Sequence, residues 1–252
     1  MVWRMLDLGK ADIYTVLSVN EAITRAVDEG KSQNTIRFMQ IKPPTVTVGY
    51  FQSVKEEVDI AFCRKSGIDI ARRWTGGGGA YEDHRAELTY AVAARLRGSG
   101  IPIDFEGSFK HLCQGPVIGL RKLGANARFG GINDLIADGK KIGGTGQSRL
   151  KNALLLEGSI LLDDAKDMFQ ALIVSAEKIR DKGIGHPSER VTSLKRELGR
   201  KVPVIEVKKA LREGFEQALN VRLVDGELSD YELRLIDELR KKYGSEEWIF
   251  RR

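Results

Sequence analysis

Cysteine is scarce in this 252-residue chain: its two cysteines, Cys63 and Cys113, lie far apart and neither belongs to a CxxC pair. That excludes a disulfide framework and a cysteine zinc site, and it points to a reducing, cytosolic setting. Histidine is equally sparse, and His84, His111 and His186 include no pair at the spacing of a helical metal motif. No stretch pairs a charged start with an apolar run as a signal segment does, and no apolar run is long enough to span a bilayer. A soluble cytoplasmic protein with no membrane partner is expected. The net charge of +6 comes from 41 basic residues interleaved with 35 acidic ones, as in Lys55-Glu56-Glu57, and no stripe of stacking aromatics accompanies it. No nucleic-acid partner is expected. No long linker divides residues 1–252 into independent units, so one large domain, or a domain plus a smaller appendage, is expected.

What is present is an alternation of helical and strand patterns. Val16, Val19, Ile23 and Val27 recur at helical spacing over residues 15–28, before Glu29-Gly30. Short β-branched runs at 35–40 and 45–50, parted by Pro43-Pro44, predict two strands. A helix at 58–65 and a strand at 68–72 follow, then a strand at 88–94. Residues 105–123 have a helical period that Gly115-Pro116 should kink or restart. Residues 132–137 and 141–142 flank Asp138-Gly139, which predicts a hairpin. Residues 154–162 predict strand broken at Glu157-Gly158, and 168–179, 204–218 and 231–243 predict helices. The fold class that follows is α/β, with a mixed, largely antiparallel sheet flanked by helices.

Two glycine clusters carry the chemistry. The first, Arg72-Arg73-Trp74-Thr75-Gly76-Gly77-Gly78-Gly79-Ala80-Tyr81, follows a strand-like segment and fits either a flexible turn or an anion-binding loop. It lacks the Lys-Ser/Thr of a P-loop and the glycine spacing of a dinucleotide fingerprint. The second, Gly143-Gly144-Thr145-Gly146, follows the hairpin that carries Lys140-Lys141. Exposed amides beside cations suit phosphate or developing negative charge. Lys140-Lys141 also fits a solvated turn, and Asn133-Asp134 fits either a turn or a ligand contact.

Taken in order, these segments resemble the catalytic domain of lipoate-protein ligases in the biotin/lipoate ligase superfamily, across roughly residues 15–250. The matching motifs are Ser18-Val19-Asn20-Glu21-Ala22, Pro44-Thr45-Val46-Thr47-Val48-Gly49-Tyr50-Phe51-Gln52, the Arg72–Gly78 loop, and Asn133-Asp134-Leu135 through Lys141-Ile142 to Gly144. Glu157-Gly158-Ser159-Ile160-Leu161-Leu162 and Arg190-Val191-Thr192-Ser193-Leu194 match two later segments.

The resemblance implies a class II synthetase-like catalytic domain that uses ATP and Mg2+ to activate lipoate or octanoate as the acyl-AMP. It would then pass the acyl group to a lysine of an apo lipoyl domain, in the E2 subunit of a 2-oxoacid dehydrogenase or the glycine cleavage H protein. Lys141 takes the catalytic position. Arg72, Thr75, Gly76, Gly77, Gly78, Tyr81, Asn133, Asp134, Gly144 and Thr145 take the nucleotide and acyl-adenylate positions, with Asp134 as a candidate magnesium ligand. Gly49, Gln52, Glu157 and Gly158 take the substrate loop.

Three departures accompany the match. Glu82 stands where the family loop has histidine, and Glu157 stands where histidine or glutamine is common. Little chain follows Trp248, so the accessory C-terminal domain is expected from a separate small subunit, as in the archaeal-type arrangement. The alternatives are an octanoyltransferase working from an octanoyl carrier protein, and a non-catalytic acyl- or nucleotide-binding protein. Superfamily members that use a thiol carry it near 126–129, where this chain has no cysteine. The Gly-Arg-Gly-Arg loop of biotin ligases is absent too.

Overall fold

A computed structural model describes residues 1–173 and 187–252. Its strands are β1 (Val2–Ala11), β2 (Thr35–Ile41), β3 (Thr45–Val48), β4 (Asp69–Arg72), β5 (Ala80–Glu82), β6 (Glu87–Arg95), β7 (Ala127–Gly130), β8 (Asp134–Ala137), β9 (Lys140–Arg149), β10 (Ala153–Leu161) and β11 (Arg222–Asp225). Its helices are α1 (Ile13–Asp28), α2 (Val54–Glu57), α3 (Ile60–Ser66), α4 (Phe105–Lys122), α5 (Met168–Ala171), α6 (Leu194–Leu198), α7 (Val204–Leu219), α8 (Asp230–Tyr243) and α9 (Glu246–Ile249). Eight strands form one sheet in the order β11-β1-β2-β6-β10-β9-β8-β7, and β4-β3-β5 form a second. β1 runs parallel to both its neighbours, and every pairing from β2 to β7 in the large sheet is antiparallel. The expected mixed, largely antiparallel sheet between helices is what forms.

The strand alternation sends two apolar sets to opposite faces. Ile36, Phe38, Tyr90, Val92, Leu154 and Leu156 pack under α4 and α7. Met39, Ala93 and Ala153 pack under Val16, Val19 and Ile23 of α1 and Ile236 and Leu239 of α8. The small sheet has its own core, in which Val46, Val48, Cys63, Tyr81 and Ile249 meet. It lies against the α1 side, where the large sheet is left partly uncovered.

Several elements depart from the sequence expectation. α4 runs unbroken through Pro116, because Gly115 and Gly119 let α7 cross at backbone contact and tertiary packing outweighs one missing hydrogen bond. β10 is also continuous: Glu157 and Gly158 are paired on both sides, with Ala91 and Tyr90 of β6 and with Gly146 and Thr145 of β9. β1, β5, β7 and β11 had no counterpart in the pattern. The helix expected over 168–179 is seen as Met168–Ala171, and residues 174–179 lie outside the described residues. The hairpin turn is as expected: Asp138 and Gly139 both have positive φ, 42° and 83°, as a two-residue turn of primed type requires.

Candidate active site

Between the uncovered part of the large sheet, α1 and the small sheet lies a cavity of about 400 Å³. Its floor follows from the register. Gly144 of β9 pairs with Ser159 of β10, Ser159 with Thr89 of β6, and Thr89 with Met39 of β2, so this row crosses the sheet on one face. α1 supplies Ile13, Val16, Leu17 and Asn20, and the first glycine loop supplies Gly77–Gly79 and Arg73.

Lys141 stands at one end. The β8–β9 ladder shifts register between Leu135 and Ile136, and Lys141 pairs with Ile136 beyond that shift. Its ammonium is 2.6 Å from Asp134 Oδ1, with the lysine side chain 40% exposed. A Cβ on Gly144 would be 2.9 Å from Lys141 Nζ and 3.1 Å from Cε, so the lysine lies directly over that glycine. Asn133 fixes the turn before β8: its Nδ2 donates to the Thr145 carbonyl at 2.6 Å, and its own carbonyl accepts from Thr145 N at 2.9 Å.

The glycine loop is held from within by Arg73, whose Nη1 donates to Thr47 Oγ1 at 2.7 Å and whose Nη2 donates to the Gly78 carbonyl at 2.8 Å. Gly49 and Gly77 are in backbone contact: a Cβ on Gly49 would fall 2.2 Å from the Gly77 carbonyl. Gln52 closes that turn by accepting from Gly49 N at 2.8 Å.

The interior is polar beyond what the motifs showed. Asn20 donates to Glu157 Oε2 at 2.6 Å and accepts from Arg37 Nε at 2.7 Å, while Arg37 Nη1 donates to Thr89 Oγ1 at 2.7 Å. Thr75 donates to the other oxygen of Glu157. Burial holds the Arg37 guanidinium down at about 10. Two more acids, Glu82 and Glu87, line the same space and are almost fully buried. Burial pushes Glu82 up to about 7, with Glu157 adding and Arg73 opposing, and it pushes Glu87 well above the carboxylate range, with Glu82 adding.

Of the residues picked out by motif, Lys141, Gly77, Gly78, Tyr81, Asn133, Gly144, Thr145, Glu157 and Gly158 line the cavity. Thr75, Gly76, Gly49, Gln52 and Asp134 stand behind those that do. Arg72, expected beside phosphates, does not reach it. Its guanidinium is fully buried and donates to the carbonyls of Gly49, Gln52 and Ile249, at 3.0, 2.7 and 3.0 Å, and Arg73 faces the cavity instead. Asp134, the candidate magnesium ligand, is ion-paired with Lys141, and no group of three or more metal-binding side chains gathers among the described residues. Arg37, Glu82 and Glu87 were missed as site residues. Glu82 had been marked only as a departure from the family's histidine, and Arg37 and Glu87 signalled themselves only as charges inside strand patterns.

Neither cysteine lines the cavity. Burial pushes the Cys63 thiol up to about 11 and the Cys113 thiol up to about 12. Among the described residues no helix is long and apolar enough to cross a membrane.

A lysine hairpin and a glycine loop thus meet across one cavity on the mixed sheet of an α/β domain. The chain belongs to the family of the lipoyl protein ligase A/B catalytic domain, whose sequence model matches residues 12–216. Among curated proteins, octanoyltransferase LipM of Kyrpidia tusciae is 33% identical over 99% of this chain and 99% of the relative. LipM of Bacillus subtilis is 30% identical over 99% and 98%. Among solved structures, a bi-partite lipoate protein ligase from Thermoplasma acidophilum superposes with a TM-score of 0.87 at 33% identity, over 99% of this chain and 96% of that one. A lipoate-protein ligase A bound with ATP gives 0.85 at 30% identity, over 99% of each chain.

These relatives correct one expectation. Curated relatives matched end to end, the two LipM proteins among them, are named octanoyltransferases, the alternative to the ATP-dependent ligase that the resemblance first implied. The ATP-dependent ligase reading with its acyl adenylate falls; the ATP in the solved relative belongs to that protein.

Proposed function

We propose that this chain is an octanoyltransferase that moves the acyl group from the thioester of a carrier protein to the side-chain amine of a lysine on a lipoyl domain, that of an E2 subunit or an H protein. The observation that carries the reading is the position of Lys141: an ammonium at the cavity end, braced by Asp134, above a glycine that leaves room for a carbonyl. Ile13, Val16, Leu17, Ile41 and Leu161 supply apolar wall for the chain.

The chemistry needs no group from outside the two substrates. The neutral acceptor amine attacks the thioester carbonyl carbon, the C–N bond forms and the C–S bond breaks. The leaving thiolate gains the proton that the amine loses. Negative charge on the carbonyl oxygen meets the Lys141 ammonium, which is already in place and needs no reorganisation. Asp134 sets the direction of that ammonium, and Asn133 keeps its turn against β9. Transfer is direct, since an acyl-enzyme would need an activated thiol and both thiols here are buried away from the cavity and held protonated.

The test is to mix the purified chain with an octanoyl carrier protein and an apo lipoyl domain, without ATP, and weigh the acceptor. One octanoyl group should be gained, and Lys141→Ala should abolish the gain while the circular dichroism spectrum stays unchanged. A gain seen only when free octanoate and ATP are supplied would overturn the reading. A parallel arm with a small accessory subunit shows whether the chain transfers alone.

A further inference from the structure

Two of the most exposed large apolar side chains among the described residues stand on the rim of the cavity. Ile132, 81% exposed, lies in the turn between β7 and β8, next to Asn133, and Phe51, 68% exposed, lies in the turn after β3, against Tyr50. The glycine loop joins these turns: a Cβ on Gly77 would be 4.0 Å from Asn133 Nδ2, and Gly49 meets the Gly77 carbonyl. Ile132, Gly77 and Phe51 therefore belong to one continuous strip, with Lys141 beside it. Cations frame the strip. Arg128 pairs with Ile136 and Ile136 with Lys141, so these three side chains share a face of the sheet. Lys140 adjoins Lys141, while Arg251 and Arg252 lie over the Tyr50 and Phe51 rings, 4.3 and 5.7 Å from their centroids. Arg128, Lys140, Arg251 and Arg252 are exposed and form no ion pair among the described residues. The acids of the same turns are engaged already, Asp134 by Lys141 and Asp138 by Asn126.

Resting on the acyl-transfer reading above, we propose that this strip is the docking surface for the acceptor domain, with Ile132 and Phe51 as its apolar anchors. The partner is a domain whose acceptor lysine stands on a projecting turn with carboxylates around it. Apolar side chains left in water and rimmed by charge mark a protein contact. Unpaired cations around them steer an acidic face to the mouth and set its register.

Reach selects the acceptor over the carrier as the occupant. A lysine side chain spans only about 6 Å from Cα to nitrogen, so the acceptor's own backbone must come down onto the rim for its amine to meet a carbonyl held at Lys141. A carrier presents its thioester on a longer flexible arm and can stand off from the same rim. The anchors nearest the mouth thus answer the partner that has to touch it.

A fluorescently labelled apo lipoyl domain of an E2 subunit, titrated with the chain and followed by anisotropy, tests this without requiring turnover. Ile132→Asp and Phe51→Ala, both at exposed side chains, should each weaken binding about tenfold, the scale of one interface anchor. Arg128→Glu should weaken it too and flatten its dependence on salt. In transfer assays the same variants should raise KM for the acceptor and leave KM for the octanoyl carrier protein unchanged. Wild-type affinity in either apolar variant, no binding by the wild-type chain, or a loss that the carrier shares or suffers alone would overturn the proposal. The two readings fail separately: docking controlled by these residues without carrier-dependent transfer sinks only the transfer reading, and carrier-dependent transfer with acceptor binding unaffected sinks only this one.

Discussion

Lys141 depends on its neighbour having no side chain. A Cβ on Gly144 would press on the lysine's Nζ and Cε, which are the free end of a flexible chain, so Gly144→Ala should fold normally and displace the ammonium. A shift of about 1 Å at a group that stabilises charge in the transition state is expected to slow transfer about 100-fold. Initial rates of acceptor acylation, with melting temperature as the control, check this; an unimpaired rate would sink the role given to that contact. Glu82 yields a second prediction, on stability. Its folded pKa, about 7, lies above the ordinary value of 4.5, so the folded state holds a proton that the unfolded state releases between those values. The stability it contributes is therefore present below pH 4.5 and lost as pH rises through 7. Glu82→Gln, which cannot ionise, should gain on the wild type by up to about 3 kcal/mol between pH 5 and pH 8 in urea denaturation. A difference that is flat with pH would refute the assignment. At this scale the sequence was half legible. Lys141, Asn133 and the glycines sit in contiguous motifs, whereas Arg37, Glu82 and Glu87 meet only because three strands on two sheets face one space.

At the scale of elements, periodicity was legible wherever one face is apolar and the other wet, as in α1, α7 and α8. Asp138-Gly139 was legible because a two-residue turn demands positive φ. Pro116 misled because helix ends are decided by contacts as well as by local propensity. Gly115 and Gly119 of α4 receive Gly214 of α7 so closely that a Cβ on Gly214 would fall 2.3 Å from the Gly115 carbonyl and 2.6 Å from Gly119 N. Backbone cannot give way as a side-chain tip can. Gly214→Ala should therefore cost about 1–3 kcal/mol through overpacking, whereas the same exchange at exposed Gly78, which has open space around it and no positive φ, should cost far less. Denaturant midpoints of the two variants decide the point, and equal losses would contradict it. Arg72 belongs to this scale as well. It joins the turn after β3 to α9, and Trp248 Nε1 donates back to the Arg72 carbonyl at 3.0 Å. The motif marked it rightly as special, but its work is to hold the glycine loop's base to the last helix.

For the whole molecule, the question is what fixes the sheet edge on which β2, and hence Arg37, depends. β11 has only Leu223 buried and exists through its parallel pairing with β1, so neither strand shows a pattern of its own. The lock is Arg4 of β1, whose guanidinium meets the Glu232 carboxylate of α8, 2.8 Å from Nη1, and also donates to Thr35 Oγ1 of β2 at 3.0 Å. Burial pulls Glu232 upward, but the Arg4 hydrogen bonds and the Ser229 amide outweigh it and hold the carboxyl below its ordinary value of 4.5. In the wild type this group thus contributes stability above pH 4.5 and loses it as pH falls. Arg4→Met removes the counter-charge and leaves the burial, so Glu232 must then carry an unpaired charge inside the fold or keep its proton. The expected loss at neutral pH is about 3–5 kcal/mol. With Arg4 gone the sign of the linkage reverses: a carboxyl raised by burial makes the variant weaker as pH rises. The gap between wild type and variant should accordingly be narrow at pH 4 and wide at pH 8, measured as denaturant midpoints across that range. A gap that stays constant, or one that widens toward acid, would show that Arg4 holds the edge by packing alone.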